Sequence, residues 1–571
     1  MRYLGFSFLA VISINLHAQW EFKGTTTFTW EEVIEHYTAL DLPYGGAKLL
    51  EIGHDDDGSP IHLFVLADGS GFTPDSIRAA GKNILWITNA IHPGEPDGVD
   101  ASLLLAQALL DSDQYMGLLA NTAVCIVPVY NVSGAKNRSG TSRANQNGPE
   151  EYGFRGNARN LDLNRDLIKT DSRNARSMIA AMNYWDPDVY FETHVSNGAD
   201  HQYVMELLTT QVDKQDAKLN AFTQKVLVPR LYDWMENRKI PMCPYFETEG
   251  STPDEGLIGF VDGPRYSTGH AALRQRIGIL SETHMLKPYE DRVNATFQLQ
   301  LATLAAMNEH PLELKEARAK AKTNATTGTS FGFNWALDTT QRTTMEWKGY
   351  VVEKVKSEVT GLERIKYDRA RPQTSNVPWL DRAKPTLQLD KPKAYLVPQA
   401  WREGIERLKL DGVPMSQATV ESRDSAEVYR ITRFETVASP YEGHYLHHSI
   451  ETQVTNEEIT IQPGDWIIPM GSATDRLVME VLEPRCADSY FAWGFFDSIL
   501  QQKEWFSDYV FEDIAAELLS KDPALKAALE AERARDPAFA KDAWAQLYFV
   551  YQRSPYFEPG YRRYPVARLI E

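Results

Sequence analysis

The chain has 571 residues, 43% hydrophobic and 24% charged, which is too long for one ordinary core and in the proportions of folded, water-soluble domains. Its 78 acidic against 59 basic residues leave a net charge of -19, which argues against nucleic acid or an anionic membrane as the principal partner. Three widely spaced cysteines, Cys125, Cys243 and Cys486, supply no disulfide framework.

Residues 1–18, MRYLGFSFLAVISINLHA, join an early Arg2, an apolar run and a small residue, Ala18, the pattern of a secretory signal peptide. They predict a secreted or periplasmic protein without stable membrane insertion, since no later apolar run reaches spanning length. From residue 19 to residue 322, strand-like runs alternate with amphipathic helices, the signature of an α/β domain. Strands are predicted at Ile61–Leu66, Asn83–Ala90, Ala123–Tyr130, Asp188–Thr193 and Ile277–Ser281, and helices at Thr29–Leu40, Val99–Leu110, Ser172–Tyr184, Asp213–Asn237 and Asp291–Asn308. The polar stretch TNATTGTSF, residues 323–331, reads as a boundary. Beyond it, residues 332–500 alternate apolar and polar positions at period two, as in GYVVEKVKSEV and EVYRITRFE, predicting a β-rich accessory domain. Residues 501–571 return to helical spacing and end in an aromatic, proline-containing tail, predicting a helical C-terminal segment.

Three apolar strands each lead into residues suited to metal or proton chemistry. KNILWITNAIHPGEPDG places His92 and Glu95 after one strand, DVYFETHVSNG delivers His194 from a second, and GILSETHMLKPY delivers Glu282 from a third. Reactive groups of open α/β sheets gather at the carboxyl ends of strands, and two imidazoles with a carboxylate form a three-ligand set of the kind catalytic zinc uses. Glu192, one residue before Thr193, is expected on the opposite sheet face from Thr193 and outside the ligand set. His201 is expected to line the pocket or touch substrate, and His444, His447 and His448 to form an exposed cluster.

In this order, HPGEPDG, NLDLNRD, FETH and SETHMLKPY resemble the zinc carboxypeptidase family over about residues 28–305. The resemblance implies a mixed sheet flanked by helices and one zinc ion per chain held by His92, Glu95 and His194, with Glu282 as general base. It implies that Asp162 holds the nitrogen of His92 that faces away from the metal. Arg143, with Arg138 as alternative, stands in the interval of the family's oxyanion arginine. Asn164 and Arg165 match the pair that binds a terminal carboxylate, chemistry that a guanidinium fork suits. Tyr266 stands for the tyrosine that closes over substrate, with Arg265 as an alternative anion contact. Leu257, Ile258 and Phe260 would suit an apolar side-chain pocket, and Asp254 or Glu255 a basic one.

These residues predict a metallocarboxypeptidase acting on peptide or protein substrates. Two alternatives stay open: a zinc amidase or peptidase acting on cell-wall peptides, and a catalytically weak zinc-containing protein that binds peptides or glycans.

Overall fold

The structure, a computed structural model, describes residues 22–570; the predicted signal peptide lies outside the described residues. The strands of the first half are β1 (Ala47–His54), β2 (Pro60–Leu66), β3 (Asn83–Thr88), β4 (Thr122–Val127), β5 (Val189–Ser196), β6 (Met205–Thr209), β7 (Met242–Pro244), β8 (Glu247–Thr248), β9 (Leu257–Ile258) and β10 (Ile277–His284). Eight of them form a mixed sheet in the order β1-β2-β4-β3-β5-β10-β6-β7. The central run β4, β3, β5 and β10 is parallel, and β3, β4 and β5 are buried along their whole length. That double-sided burial is why NILWIT and TAVCIV read as nearly continuous apolar runs. Ile84, Trp86, Val124, Ile126, Phe191 and Ile279 join helix residues such as Leu103, Leu299 and Leu304 in the core.

Each predicted strand has a counterpart in this sheet, and β1, β6 and β7 add to them. β1 escapes the sequence pattern because it is an edge strand with a broken burial alternation and a register shift at Gly53. The predicted helix Asp213–Asn237 is divided into Ala217–Phe222, a π turn over Thr223–Leu227, and Val228–Asn237. Pro229 follows directly on the π turn, where the chain stays helical through Leu227 and Val228 and the regular i→i−4 ladder is already interrupted.

The stretch expected to break the chain at residues 323–331 is largely helical. The helix Pro311–Thr327 extends into it as far as Thr327, leaving the break at Gly328 and Thr329, and the hydroxyls of Thr323, Thr326 and Thr327 donate to carbonyls four residues back. Threonines that read as loop formers are tolerated here through that back-bonding.

The remaining strands are β11 (Ser330–Leu337), β12 (Thr343–Lys356), β13 (Glu363–Leu380), β14 (Ala383–Asp390), β15 (Ala394–Val397), β16 (Ser416–Gln417), β17 (Ser422–Thr436), β18 (His447–Ile461), β19 (Trp466–Pro469) and β20 (Arg563–Leu569). They do not stand apart from the first half. The long hairpin β12–β13 joins β9 and β8 in a sheet ordered β12-β13-β9-β8, with Trp379 and Leu380 paired to Leu257 and Ile258. Tyr203, Cys243 and Leu257 pack with Trp347 and Val377 beneath it.

Six strands form an antiparallel sheet, β16-β19-β15-β20-β17-β18. Its inclusion of β20 adds a strand that the helical C-terminal segment expected over residues 501–571 did not foresee. The helices Asp508–Lys521, Pro523–Arg535 and Ala543–Tyr551 share a small core, but the proline-containing tail returns as an inner strand. Pro565 is accommodated because the β17–β20 register shifts between Val428 and Arg430, where a ladder donor is dispensable. No helix among the described residues is long and apolar enough to cross a membrane.

Candidate metal centre and substrate cavity

His92 and Glu95 lie in the turn after β3, and the following helix, Asp97–Asp111, starts against β5. Gly98 permits that approach: a Cβ there would lie 2.0 Å from the Thr193 hydroxyl. The strand carrying His194 continues to Ser196 and the strand carrying Glu282 to His284, so both side chains project from within strands. Glu282 pairs with His194 on one side and with Glu206 on the other, which puts all three on one face of the sheet.

His92 Nδ1 and His194 Nδ1 are 3.2 Å apart, and Glu95 Oε2 is 3.0 Å from His194 Nδ1. The outer nitrogens are held by carboxylates: His92 Nε2 lies 2.9 Å from Asp162 Oδ1, and His194 Nε2 2.9 Å from Glu192 Oε2. With their outer N–H groups engaged, both rings turn a lone pair inward, and such partners also raise ligand basicity. His92, Glu95 and His194 are all buried, and their candidate donor atoms lie within 4.8 Å of one another. A nitrogen, nitrogen and oxygen cup of this kind fits zinc.

Burial alone would raise the Glu95 carboxyl, but Arg143, His92 and His194 hold it well below the usual carboxylate range. Burial would likewise raise Asp162, and His92, Arg155 and Arg165 hold it far lower. Burial would lower His194; Glu192 and Glu95 on either side instead raise it to about 10. A cation in the cup would replace that proton as the partner of these carboxylates.

The Glu282 carboxylate has no ion pair or hydrogen bond among the described residues. Arg292 turns to Asp97 and the Gly148 carbonyl, and Lys287 to Asp200 and the His201 carbonyl. Burial pushes Glu282 up to about 8, with His194 opposing the rise and Glu95 and Glu206 adding to it.

His92, Glu95, Arg143, Asn164, Arg165, His194, Tyr266 and Glu282 line one cavity of about 660 Å³. Arg143 ion-pairs with Glu95 and donates to the Val195 carbonyl at 2.8 Å. Arg138 lies elsewhere, donating to the carbonyls of Thr27, Phe28 and Glu151. Asn164 accepts from the Ser267 amide at 3.3 Å, and Arg165 stacks over Tyr266 with its guanidinium 4.2 Å from the ring centre. Arg165 stays 3.9 Å from Asp162, while Asp166 is taken by Lys169.

Several sequence expectations are corrected. Arg265 is occupied by Asp488 at 2.8 Å, so it is no free anion contact. His201 is fully buried against Glu206 and does not line the cavity. Asp254 turns toward Gln373 and Ser375. The supposed histidine cluster separates: His444 binds Asp171, buried His447 binds Asp497, and His448 is exposed.

Sequence reasoning missed one role and one group. Glu192 is expected opposite Thr193, and so on the face of His194, but its hold on the outer nitrogen of His194 is not legible from that placement. Arg155 lines the cavity, pairs with Asp162 at 2.9 Å and reaches Glu95 at 3.4 Å; its loop, GFRGNAR, carries no periodic signal.

A family model described as zinc carboxypeptidase matches residues 45–245, an interval containing every residue named for the metal cup but not Tyr266 or Glu282. Carboxypeptidase 2 of Trichophyton rubrum is 20% identical over 449 residues, covering 76% of this chain and 77% of that protein. Carboxypeptidase 2 of Trichophyton equinum is 20% identical over 426 residues, covering 72% and 73%. Among solved structures, a putative carboxypeptidase A from Shewanella denitrificans OS-217 has a TM-score of 0.38 at 19% identity, covering 51% of this chain and 71% of that one.

Proposed function

We propose that this chain, whose residues 45–245 match a family model described as zinc carboxypeptidase, is a peptide hydrolase of the metallocarboxypeptidase type that releases C-terminal residues from peptides. One zinc ion per chain would be held by His92, Glu95 and His194. The observation carrying the reading is that a three-donor cup, an unpaired carboxylate and a guanidinium beside an amide line the same cavity.

When bound, zinc supplies Lewis acidity, polarising a carbonyl and lowering the pKa of water to about 7. The chain's residues do the rest. Glu282 takes the proton of the attacking water and returns it to the departing amine; a bound dication favours the ionised form this requires. Arg143, beside Arg155, offers positive charge to the developing oxyanion. Asn164 and Arg165 hold the terminal carboxylate of the substrate, the guanidinium by two parallel hydrogen bonds. Tyr266, stacked on Arg165, covers the bound residue and excludes water. Residues 1–18 direct export, which N-terminal sequencing of the mature protein checks.

The decisive experiment is incubation of the zinc-loaded protein with a peptide panel, followed by mass spectrometry with and without chelator. Loss of single C-terminal residues, abolished by chelator, is expected. Internal cleavage, or cleavage that chelator leaves untouched, would sink the proposal.

A further inference from the structure

The hairpin β17–β18 ends in a loop that returns to the metal centre from far along the chain. Its tip is a tight turn in which Tyr441 and His444 exchange backbone hydrogen bonds of 2.7 and 3.0 Å. The two central residues, Glu442 and Gly443, have φ of 50° and 83°, the positive values of a type I′ turn. Gly and Asn suit such positions, whereas Glu is an uncommon occupant. What Glu brings is reach: its Oε2 accepts the backbone N–H of Asp162 at 2.8 Å, across 280 positions of sequence.

Asp162 is where two parts of the site meet. Its Oδ1 engages His92 Nε2 at 2.9 Å, its Oδ2 accepts from Arg155 at 3.0 Å, and its Oδ1 also caps the Asn164 amide at 2.9 Å. It therefore begins the short turn Leu163–Arg165 that presents Asn164 and Arg165 to the cavity. Both flanks of the hairpin tip are anchored. His444 Nε2 lies 2.6 Å from Asp171. Tyr441 stacks on Trp493 with ring centres 6.1 Å apart, and the Arg265 guanidinium sits 5.5 Å from the Tyr441 ring. A tip held on both sides carries a carboxylate to a defined place.

We propose that this turn braces the metal centre, with Glu442 as a positioning residue that holds the Asp162 amide and thereby fixes the carboxylate orienting His92 and the turn presenting Asn164 and Arg165. The inference rests on the proposed zinc peptidase reading for its functional consequence, not for the contact itself.

The test compares full-length wild type with Glu442→Ala, Glu442→Asp and Glu442→Gln. The readouts are zinc affinity by chelator competition, hydrogen–deuterium exchange over residues 157–166, and KM and kcat for a free-carboxylate peptide. The Ala variant should bind zinc about threefold to tenfold more weakly, less than the roughly 10- to 100-fold typical when a metal ligand's own partner is lost. Its exchange over residues 157–166 should quicken and its KM rise more than its kcat falls. Glu442→Asp keeps charge and solubility but falls short of the amide, so it should behave like Ala, while Glu442→Gln keeps the acceptor oxygen and should restore wild-type values. Unchanged exchange in both Ala and Asp variants would overturn the contact. Faster exchange with unchanged zinc affinity and KM would overturn the positioning role, as would a Gln variant no better than Ala. If wild type binds no zinc and cleaves nothing while exchange still responds, the peptidase reading falls and the brace on Asp162 stands.

Discussion

Two buried clusters of identical composition, two histidines and a glutamate, lie close together in this molecule: His92, Glu95 and His194, and His201, Glu206 and His284. In the first, the outer nitrogens are held by Asp162 and Glu192, so the inner Nδ1 atoms face one another, where a cation can take the place of the proton on His194. In the second, the Nδ1 atoms accept the backbone amides of Tyr203 and Leu286, at 3.2 and 3.3 Å. Their neutral rings therefore carry the proton on Nε2, the nitrogen that would have to face a metal. His201 gives that proton to Glu206 at 3.0 Å. Donor composition alone does not make a metal site; the direction of the outer hydrogen bonds does.

The largest effects should separate the two clusters outright. His92→Ala or His194→Ala should abolish stoichiometric zinc in elemental analysis, while His284→Ala should leave one zinc per chain. Two zinc ions in wild type, one of them lost with His284, would break the distinction. Next, Glu282→Gln should lower turnover by about 10²- to 10⁴-fold with zinc retained, whereas Glu206→Gln, its cross-strand neighbour, should keep most activity; steady-state kinetics on metal-loaded protein decides. Replacing the outer partners, by Asp162→Asn or Glu192→Gln, should weaken zinc roughly 10- to 100-fold in chelator competition. Arg165→Ala should raise KM for free-carboxylate peptides by roughly tenfold, the scale of a lost charged hydrogen bond, and leave amidated peptides little changed. Equal effects on both substrates would remove the exopeptidase role.

The smallest prediction concerns pH and the second cluster. Burial holds Glu206 up near 8 against an ordinary 4.5, so between those values the folded state keeps a proton that the unfolded chain has lost. Its contribution to stability is therefore present at low pH and declines as pH rises through that window. Glu206→Gln should flatten this part of the wild-type curve of thermal midpoint against pH. An identical slope in both proteins would mean that Glu206 is ionised throughout.

Much of the first half was legible because its signals are local. Continuous apolar runs betray strands buried on both faces, and HPGEPDG and SETHMLKPY follow or end such runs. What stayed hidden is of two kinds. Edge strands such as β1 and short ones such as β8 and β9 carry too little apolar pattern to stand out. The tail strand β20 was masked by Pro565, which reads as a breaker unless the register shift that tolerates it is known.

By itself the sequence determined which chemical groups exist and which strands carry them: His92 and Glu95 after one, His194 on a second, Glu282 on a third. Only the tertiary structure decided how those groups are oriented and supported. Arg155 and Glu442 meet Asp162 from separate loops, Glu192 takes up the outer nitrogen of His194, and the hairpin β12–β13 extends the sheet begun by β8 and β9. The physical reason is range: apolar periodicity and strand-end placement are written within a few residues, whereas hydrogen bonds that set a histidine's tautomer come from wherever the chain returns.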